Sequence, residues 1–198
     1  MRKKSEDRRQ AMLETATAVF LEMGYSATSM SVIAEKWGGS KATIYNHFTS
    51  KENLYIEVIG MLGDKFLLDI YKALDPDADL TVTLQTLGEL IVKAVCSHEM
   101  VLAQRNAISE AKTQAIGKLF YERGPVAAIK RIAEYFNECM ERGKLKRCDS
   151  LVASHHFGAL LRAECQDPLL YGVREEFSGE EISGMVERAV KAFLSGYR

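Results

Sequence analysis

The sequence predicts an all-α protein, and three observations support that fold class. Apolar residues recur at steps of three and four along most of the 198 residues, which is the spacing of one helix face. The chain has only three prolines, and each coincides with an expected break between helices. Residues 80–84 alternate like a strand, but they continue at helical spacing and have no second strand to pair with, so we expect helix there too.

The first predicted helices lie close together near the N-terminus. An apolar stripe that includes Met12, Val19 and Phe20 ends at Gly24, which suits a helix end. Two short helices follow at residues 31–37 and 41–48. A capping box at residues 49–52 is expected to start a long helix that runs to residue 74.

Beyond the break at residues 75–77, local start signals mark the later helices. Asp149 can cap the helix that follows it, and residues 178–181 form a capping box flanked by the apolar pair Phe177 and Ile182. An irregular loop is expected from residue 167. Helices are predicted at residues 80–95, 100–111, 114–123, 125–143, 151–163 and 179–195, for about nine helices in all.

The composition excludes several classes of protein. Hydrophobic residues make up 47% and charged residues 27%, and 26 Lys and Arg oppose 27 Asp and Glu for a net charge of −1. This balance argues against disorder and against a protein that coats nucleic acid indiscriminately. No apolar run is long enough to span a membrane, and the N-terminus lacks the apolar core of a signal peptide. We therefore expect a cytoplasmic protein.

Residues 28–54 carry the one motif with a functional meaning. Two short helices joined by a turn that contains glycine are the layout of a helix-turn-helix. On a wheel of ~100° per residue, Ile44 and Phe48 face inward. The opposite face has only small or hydrogen-bonding side chains: Ala42, Thr43 and Asn46. A helix that enters the major groove needs such a face, without carboxylates that repel phosphate. Ser40, at the helix start, leaves backbone N–H groups available to a phosphate.

This stretch resembles the DNA-binding domain of the tetracycline-repressor (TetR) family. The resemblance extends upstream into the first helix and covers about the first quarter of the chain. The matching residues are Ala16, Phe20, Gly24, Tyr25, Ala27–Met30, Ile33, Ala34, Gly38, Ser40, Lys41, Thr43–Phe48, Ser50–Glu52 and Leu54. The resemblance implies that residues 1–54 form a helix-turn-helix domain that binds double-stranded DNA.

The resemblance also implies roles for individual residues. Positions that touch the DNA backbone are matched by Thr28 and Ser29. Positions that contact phosphates are matched by Lys41, Tyr45, His47 and Lys51. Positions that approach bases or the adjoining backbone are matched by Ala42, Thr43 and Asn46. Three residues depart from the family pattern: Trp37 replaces a small residue, Gly39 a β-branched one and Ala42 a frequent glycine.

Residues 55–198 correspond to the region in which members of this family bind their effectors and dimerise. Residues 105–110, 120–125 and 142–145 resemble the C-terminal domain of the AefR-like subgroup. We expect a homodimer through the last two helices, about 151–163 and 179–195; alternatively, those helices complete the core of a monomer. The expected effector is a small, largely apolar molecule.

Candidate effector-binding residues are polar or aromatic groups that interrupt an apolar stripe. They are His98, Arg105, Tyr121, Tyr135, Cys139 and His155; each is alternatively an ordinary core or surface residue. Cys96 with His98, and His155 with His156, lack a third ligand at a recognisable spacing. We therefore expect no metal or cofactor. Reduced thiols are expected at all four cysteines, although Cys96 or Cys139 is alternatively a redox sensor.

These observations predict a transcriptional regulator and not an enzyme, because no catalytic motif is present. The predicted function is repression through a palindromic operator, relieved by a small-molecule effector. The alternative is a helical small-molecule sensor that acts through a protein partner without binding DNA. The charge distribution favours the DNA-binding repressor, because residues 1–54 carry eight basic and six acidic residues while the remainder is net acidic.

Overall fold

The structure is a computed structural model that describes residues 2–113 and 115–198, without the side chains of residues 2–5, 65, 112, 113, 115 and 116. Within these ranges it has eleven α-helices and no β-strand, so the predicted all-α class is confirmed. Gln114, where the sequence predicts a helix start, lies outside the described residues.

The helices are numbered here in chain order. They are α1 (Arg2–Ala27), α2 (Met30–Trp37), α3 (Lys41–Tyr45), α4 (Lys51–Ala73), α5 (Leu80–Val95), α6 (His98–Ser109), α7 (Ala115–Tyr121), α8 (Ala127–Glu141), α9 (Ser150–Arg162), α10 (Gln166–Leu170) and α11 (Gly179–Tyr197). A 3₁₀ turn, Glu110–Thr113, and a π turn, Glu122–Val126, connect α6 to α7 and α7 to α8.

The chain folds into two compact units. The first consists of Met1–Asp64 together with Leu102–Arg123, and the second of Lys65–Val101 together with Gly124–Arg198. The first unit thus combines the helix-turn-helix segment with a segment from much later in the chain. The sequence predicts a functional boundary after residue 54, between the DNA-binding and effector-binding parts of the chain. That boundary stays a prediction.

The core of the first unit is built from one face each of α1, α2, α3 and α4. Phe20, Ile33, Ile44 and Leu54 are among its fully or almost fully buried side chains. The rings of Phe20 and Tyr55 meet edge to face with their centroids 5.0 Å apart. This close packing sets the positions of the short helices α2 and α3.

The core of the second unit is formed mainly by α5, α8, α9 and α11. The rings of Phe136 and Phe157 both pack against Phe193, with centroids 5.1 Å away in each case. Gly88 lets α5 approach its neighbours closely, because a Cβ there would lie 2.6 Å from Cγ1 of Val186. In the described part of the chain, no single helix is long and apolar enough to cross a membrane.

Helix boundaries follow local signals with a few corrections. Asp149 caps α9, and Ser178 forms the predicted capping box of α11. The capping box predicted at residues 49–52 is wrong by one position, because the hydroxyl of Ser50 accepts the N–H of Asn53. The loop expected from residue 167 is partly helical, as α10, and Pro125 lies in the π turn before α8.

Candidate nucleic-acid interface

The helix-turn-helix is built from α2, a glycine turn and α3. Ser29 caps α2 by accepting the N–H of Val32, and Gly38 ends it in the left-handed conformation with φ of 80°. Glycine adopts that conformation without strain. Three residues separate α2 from α3, and the two helices pack against each other.

The second helix is short and well capped. The hydroxyl of Ser40 accepts the N–H of Thr43 at 3.1 Å and shares a 2.7 Å hydrogen bond with the Thr43 hydroxyl. Regular helix ends at Tyr45, three residues before the predicted end. Backbone hydrogen bonds from His47 and Phe48 to the Ile44 carbonyl nevertheless continue the turn.

The two faces of α3 divide as the helical wheel predicts. Ile44 and Phe48 are completely buried, whereas Ala42 and Asn46 are exposed and Thr43 is partly exposed. The inward face is therefore confirmed. The exposed face carries no carboxylate, so it offers hydrogen-bonding groups without charge repulsion toward phosphate.

Cationic and aromatic groups flank this exposed face. Lys41 is exposed, and its ammonium lies 5.9 Å from the centre of the Tyr45 ring. Tyr45 is 44% exposed, and His47 is partly exposed. Ser29 and Ser40 are also exposed. These side chains are available to a ligand without any rearrangement of the core.

Two of the predicted contact residues are placed differently. The Thr28 side chain is buried, and its hydroxyl donates to the Gly24 carbonyl at 2.7 Å. The Lys51 ammonium donates to the carbonyls of Tyr25 and Thr28 at 2.8 and 2.9 Å. It also lies 4.2 Å from the centre of the Tyr25 ring. Both side chains therefore stabilise the junction between α1 and α2 by hydrogen bonds to its backbone carbonyls.

Two departures from the family pattern prove to be spatial neighbours. A Cβ placed on Gly39 would lie only 2.1 Å from the indole of Trp37. The indole therefore takes the space that a β-branched side chain would need at position 39. The large residue at one position and the missing side chain at the other fit together.

Sequence reasoning did not identify two residues that hold the end of α1. The Glu110 carboxylate accepts the backbone N–H of Ser26 at 2.9 Å and its hydroxyl at 2.7 Å. The Asn106 amide donates to the carbonyls of Phe20 and Leu21 at 3.0 and 3.1 Å. These contacts cover the kink at Gly24, where φ is 78°. Because Glu110 lies 84 positions after Ser26 in the chain, no local sequence pattern predicts this contact.

The Glu110 carboxylate also contributes to the electrostatics of this junction. Burial, reinforced by the negative charge of Glu110, raises the pKa of Tyr55 to about 12. The pKa of Tyr25 is raised as well, first by burial and then by the charges of Glu52 and Glu110. Both phenols therefore stay neutral hydrogen-bonding groups over the physiological range.

The candidate effector residues fall into separate surroundings. Tyr135 and Cys139 lie one turn apart on α8 inside the core of the second unit. His98 lines an open cleft with Glu175 and Phe177. Arg105, Tyr121 and His155 are exposed. Only Tyr135 and Cys139 are thus brought together in the core.

A residue missed from the sequence, Arg131, lies one turn before Tyr135 on α8. In the described residues, its Nε and the Tyr135 hydroxyl are buried polar atoms without a hydrogen-bond partner. The Arg131 guanidinium lies 4.5 Å from the centre of the Tyr71 ring. Buried unpaired polar atoms are rare in proteins, so this face of α8 is a candidate effector contact. Arginine within an apolar stripe is the signal that could have indicated it.

Family models match both parts of the chain. The model described as bacterial regulatory proteins of the tetR family matches residues 12–58. The model described as the C-terminal domain of AefR-like transcriptional repressors matches residues 82–198, which is more than half of the chain.

Individual proteins agree with these matches. The HTH-type transcriptional regulator YhgD of Bacillus subtilis is 27% identical over 147 residues, covering 73% of this chain and 75% of that protein. A TetR-family regulator from Mesorhizobium loti has 27% sequence identity to this chain, and its crystal structure matches the fold with a TM-score of 0.86. The flavonoid-responsive regulator FrrA is 29% identical with a TM-score of 0.82. Each structure aligns over 98% of both chains. The chain belongs to the TetR family of transcriptional regulators.

Proposed function

We propose that this protein is a repressor that binds a palindromic operator as a homodimer and leaves it when a small organic effector binds. The observation that carries the proposal is the exposed face of α3, which has hydrogen-bonding groups and no carboxylate. Repression, as opposed to activation, is favoured by the AefR-like repressor model that matches residues 82–198.

We assign the exposed residues of the helix-turn-helix to two roles. Base edges in the major groove are approached by Ala42, Thr43 and Asn46. Phosphates are contacted by Ser29, Ser40, Lys41, Tyr45 and His47. This division follows the general rule that phosphate contacts position a protein on DNA while base contacts specify the sequence. Thr28 and Lys51 act by holding the junction in which Ser29 lies.

Dimerisation is proposed through α9 and α11, which pack against each other in the second unit. Leu151 and Val152 on α9 are 45% and 46% exposed. A second copy of the chain would cover these apolar side chains. A twofold dimer presents two copies of α3, which suits half-sites about 34–36 Å apart.

The effector is proposed to be largely apolar with one polar group that Arg131 and Tyr135 receive. The partnerless atoms on this face of α8 support that assignment. FrrA is flavonoid-responsive, so aromatic hydroxyl compounds form the first class to try. Arg131→Met should abolish release by the effector while operator binding is kept, whereas unchanged release would reject this contact.

The proposed route from effector to DNA follows the chain. Both α4 and α6 begin in one compact unit and end in the other. Asn106 of α6 and the adjacent Glu110 bind the end of α1, next to Ser29. An effector shifts the balance only if it prefers the conformer with weaker DNA binding.

A mobility-shift assay with the DNA upstream of the protein's own gene tests the function, with unrelated duplex DNA as competitor. We expect a shifted band that survives the competitor and that an active compound from an aromatic panel removes. Loss of the band at low competitor would instead support the sensor that acts through a protein partner. Because the proposed target is chromosomal DNA, we also propose a cytoplasmic location.

A further inference from the structure

Ala42 and Asn46 lie one above the other on the exposed face of α3. The backbone N–H of Asn46 donates to the carbonyl of Ala42 at 3.1 Å, so the two residues are one helical turn apart on the same side. Both are exposed. Residues four apart on a helix have Cβ atoms roughly 5–6 Å from each other, whereas successive bases of one DNA strand are about 3.4 Å apart. The pair therefore spans about one to two base steps.

The two side chains offer different chemistry to the edge of a base. Ala42 has a methyl group and no polar atom. Asn46 has an amide, and in the part of the chain that the structure describes this amide makes no hydrogen bond. An amide both donates and accepts hydrogen bonds. Asn46 can therefore form two hydrogen bonds to one base without losing any contact within the protein.

The third residue of this face, Thr43, is already engaged. The Ser40 hydroxyl accepts the backbone N–H of Thr43 at 3.1 Å and shares a 2.7 Å hydrogen bond with the Thr43 hydroxyl. These contacts fix the start of α3 beneath Ala42. The side chains of Ala42 and Asn46 are thus the two that meet a base with no partner of their own.

The exposed face lacks the groups that best recognise G·C pairs. Guanine is read mainly by Arg or Lys, which donate to its O6 and N7 atoms, and cytosine by Asp or Glu, which accept from its N4 amino group. None of Ala42, Thr43 and Asn46 is such a residue. The ammonium of Lys41 lies beside this face, 5.9 Å from the centre of the Tyr45 ring, and is assigned above to a phosphate. The chemistry of the face therefore favours adenine and thymine.

We propose that this face reads A·T base pairs, with Ala42 against the C5-methyl group of a thymine and Asn46 bonded to an adenine. The Asn46 oxygen accepts from the adenine N6 amino group while its NH2 group donates to N7. The two contacted base pairs are neighbours or next neighbours in each half-site. This inference rests on the proposed DNA binding and adds which bases are read. The methyl group at position 42, where the family pattern often has glycine, thus supplies the thymine contact.

The test starts from the palindromic duplex that the wild-type protein enriches from random DNA. In synthetic copies, each symmetric pair of thymines is replaced in turn by deoxyuridine, which lacks only the C5-methyl group. One buried methyl group contributes roughly fourfold to affinity, so at one symmetric pair we expect roughly 16-fold weaker binding, because both half-sites lose a contact. Deoxyuridine placed outside the half-sites is the control.

The matched variant is Ala42→Gly, which removes the same contact from the protein side. Each protein is compared with itself on the thymine and deoxyuridine duplexes, so any change in helix stability caused by glycine cancels. We expect Ala42→Gly to bind the two duplexes with equal affinity. The wild-type measurement decides the thymine contact even if the variant fails to fold.

A second substitution in the DNA tests Asn46. Replacing the contacted adenine by 7-deazaadenine removes the N7 acceptor and keeps the base pair. We expect the wild type to bind roughly fivefold more weakly for each half-site, the effect of one lost hydrogen bond. Asn46→Ala should not distinguish the two duplexes.

The outcomes separate this inference from the proposed function. An enriched palindrome that binds equally well with deoxyuridine at every position would overturn the thymine contact and leave operator binding intact, as would full deoxyuridine sensitivity in Ala42→Gly. Equal binding of 7-deazaadenine duplexes would in the same way overturn the adenine contact. Failure to enrich any motif would overturn operator binding itself, and this inference with it.

Discussion

Replacement of Lys51 by methionine separates two roles that look identical in sequence. Lys41 and Lys51 both match phosphate-contacting positions of the family. In the structure, Lys41 is exposed, while the Lys51 ammonium donates to the carbonyls of Tyr25 and Thr28 at 2.8 and 2.9 Å. Methionine keeps the unbranched, flexible shape of the side chain, one atom shorter, but removes its charge and its donors.

The cost of Lys51→Met follows from these contacts. A hydrogen bond to a charged group contributes about 1.5–3 kcal/mol, but Lys51 is only partly buried and water can replace part of each bond. About 1 kcal/mol for each bond, with about 0.5 kcal/mol for the contact with the Tyr25 ring, gives a loss of about 2–3 kcal/mol. For a chain of this size, that loss lowers the melting temperature by roughly 4–12 °C.

Thermal unfolding and the salt dependence of DNA affinity, measured on Lys51→Met and Lys41→Met, distinguish the two roles. Lys51→Met should lower the melting temperature and leave the salt slope unchanged. Lys41→Met should leave the melting temperature unchanged and reduce the slope by about 0.9, the effect of one lost phosphate contact. A reduced slope with unchanged stability in Lys51→Met would refute this reasoning.

Three further predictions concern other parts of the fold. Tyr45→Ala and His47→Ala should each weaken binding to all DNA sequences by a similar factor and leave the preferred sequence unchanged, because phosphate contacts carry no sequence information; unchanged affinity would remove that residue from the phosphate contacts. Because the pKa of Tyr55 rises from 10.0 to about 12 on folding, its contribution to stability is complete below pH 10 and is lost as the pH rises toward 12. Urea unfolding should show a loss of roughly 2 kcal/mol over that range, and Tyr55→Phe should remove this part of the pH dependence; an identical profile would contradict it. Gly88→Ala should destabilise by about 1–2 kcal/mol, because overpacking against Val186, 2.6 Å from the added Cβ, outweighs the gain in helix propensity; a higher urea midpoint would show that the helices separate at little cost.

Features that depend on nearby residues could be predicted from the sequence. The caps at Asp149 and Ser178 and the buried face of α3, with Ile44 and Phe48, follow from patterns a few residues long. Such patterns act through local backbone hydrogen bonds and helix periodicity. The short α10 was missed because Pro168, read as a loop signal, lies within its first turn, where proline is tolerated.

Features that depend on distant residues could not be predicted in this way. Ser26 and Glu110 are 84 positions apart in sequence, so their contact depends on tertiary packing. The carbonyls that occupy Lys51 lie at an α1–α2 junction whose geometry depends on the whole first unit. In each case a side chain's type is visible in the sequence, but its partner is not.

The adjacent departures at Trp37 and Gly39 illustrate the same limit. Each looks like an isolated exception when the sequence is set beside the family pattern. The structure shows that the indole would collide with any Cβ at position 39. The two departures are therefore one packing arrangement. Neither residue belongs to the exposed face of α3.

The central claim is that the exposed face of α3 reads base pairs as part of a twofold dimer. Selection of binding sites from random duplex DNA tests it directly, with the wild-type protein and Asn46→Ala compared in parallel. We expect the wild type to enrich a palindrome and the variant to lose or change its preference at symmetric positions of both half-sites. An identical motif for both proteins, or no enriched motif for the wild type, would contradict the claim.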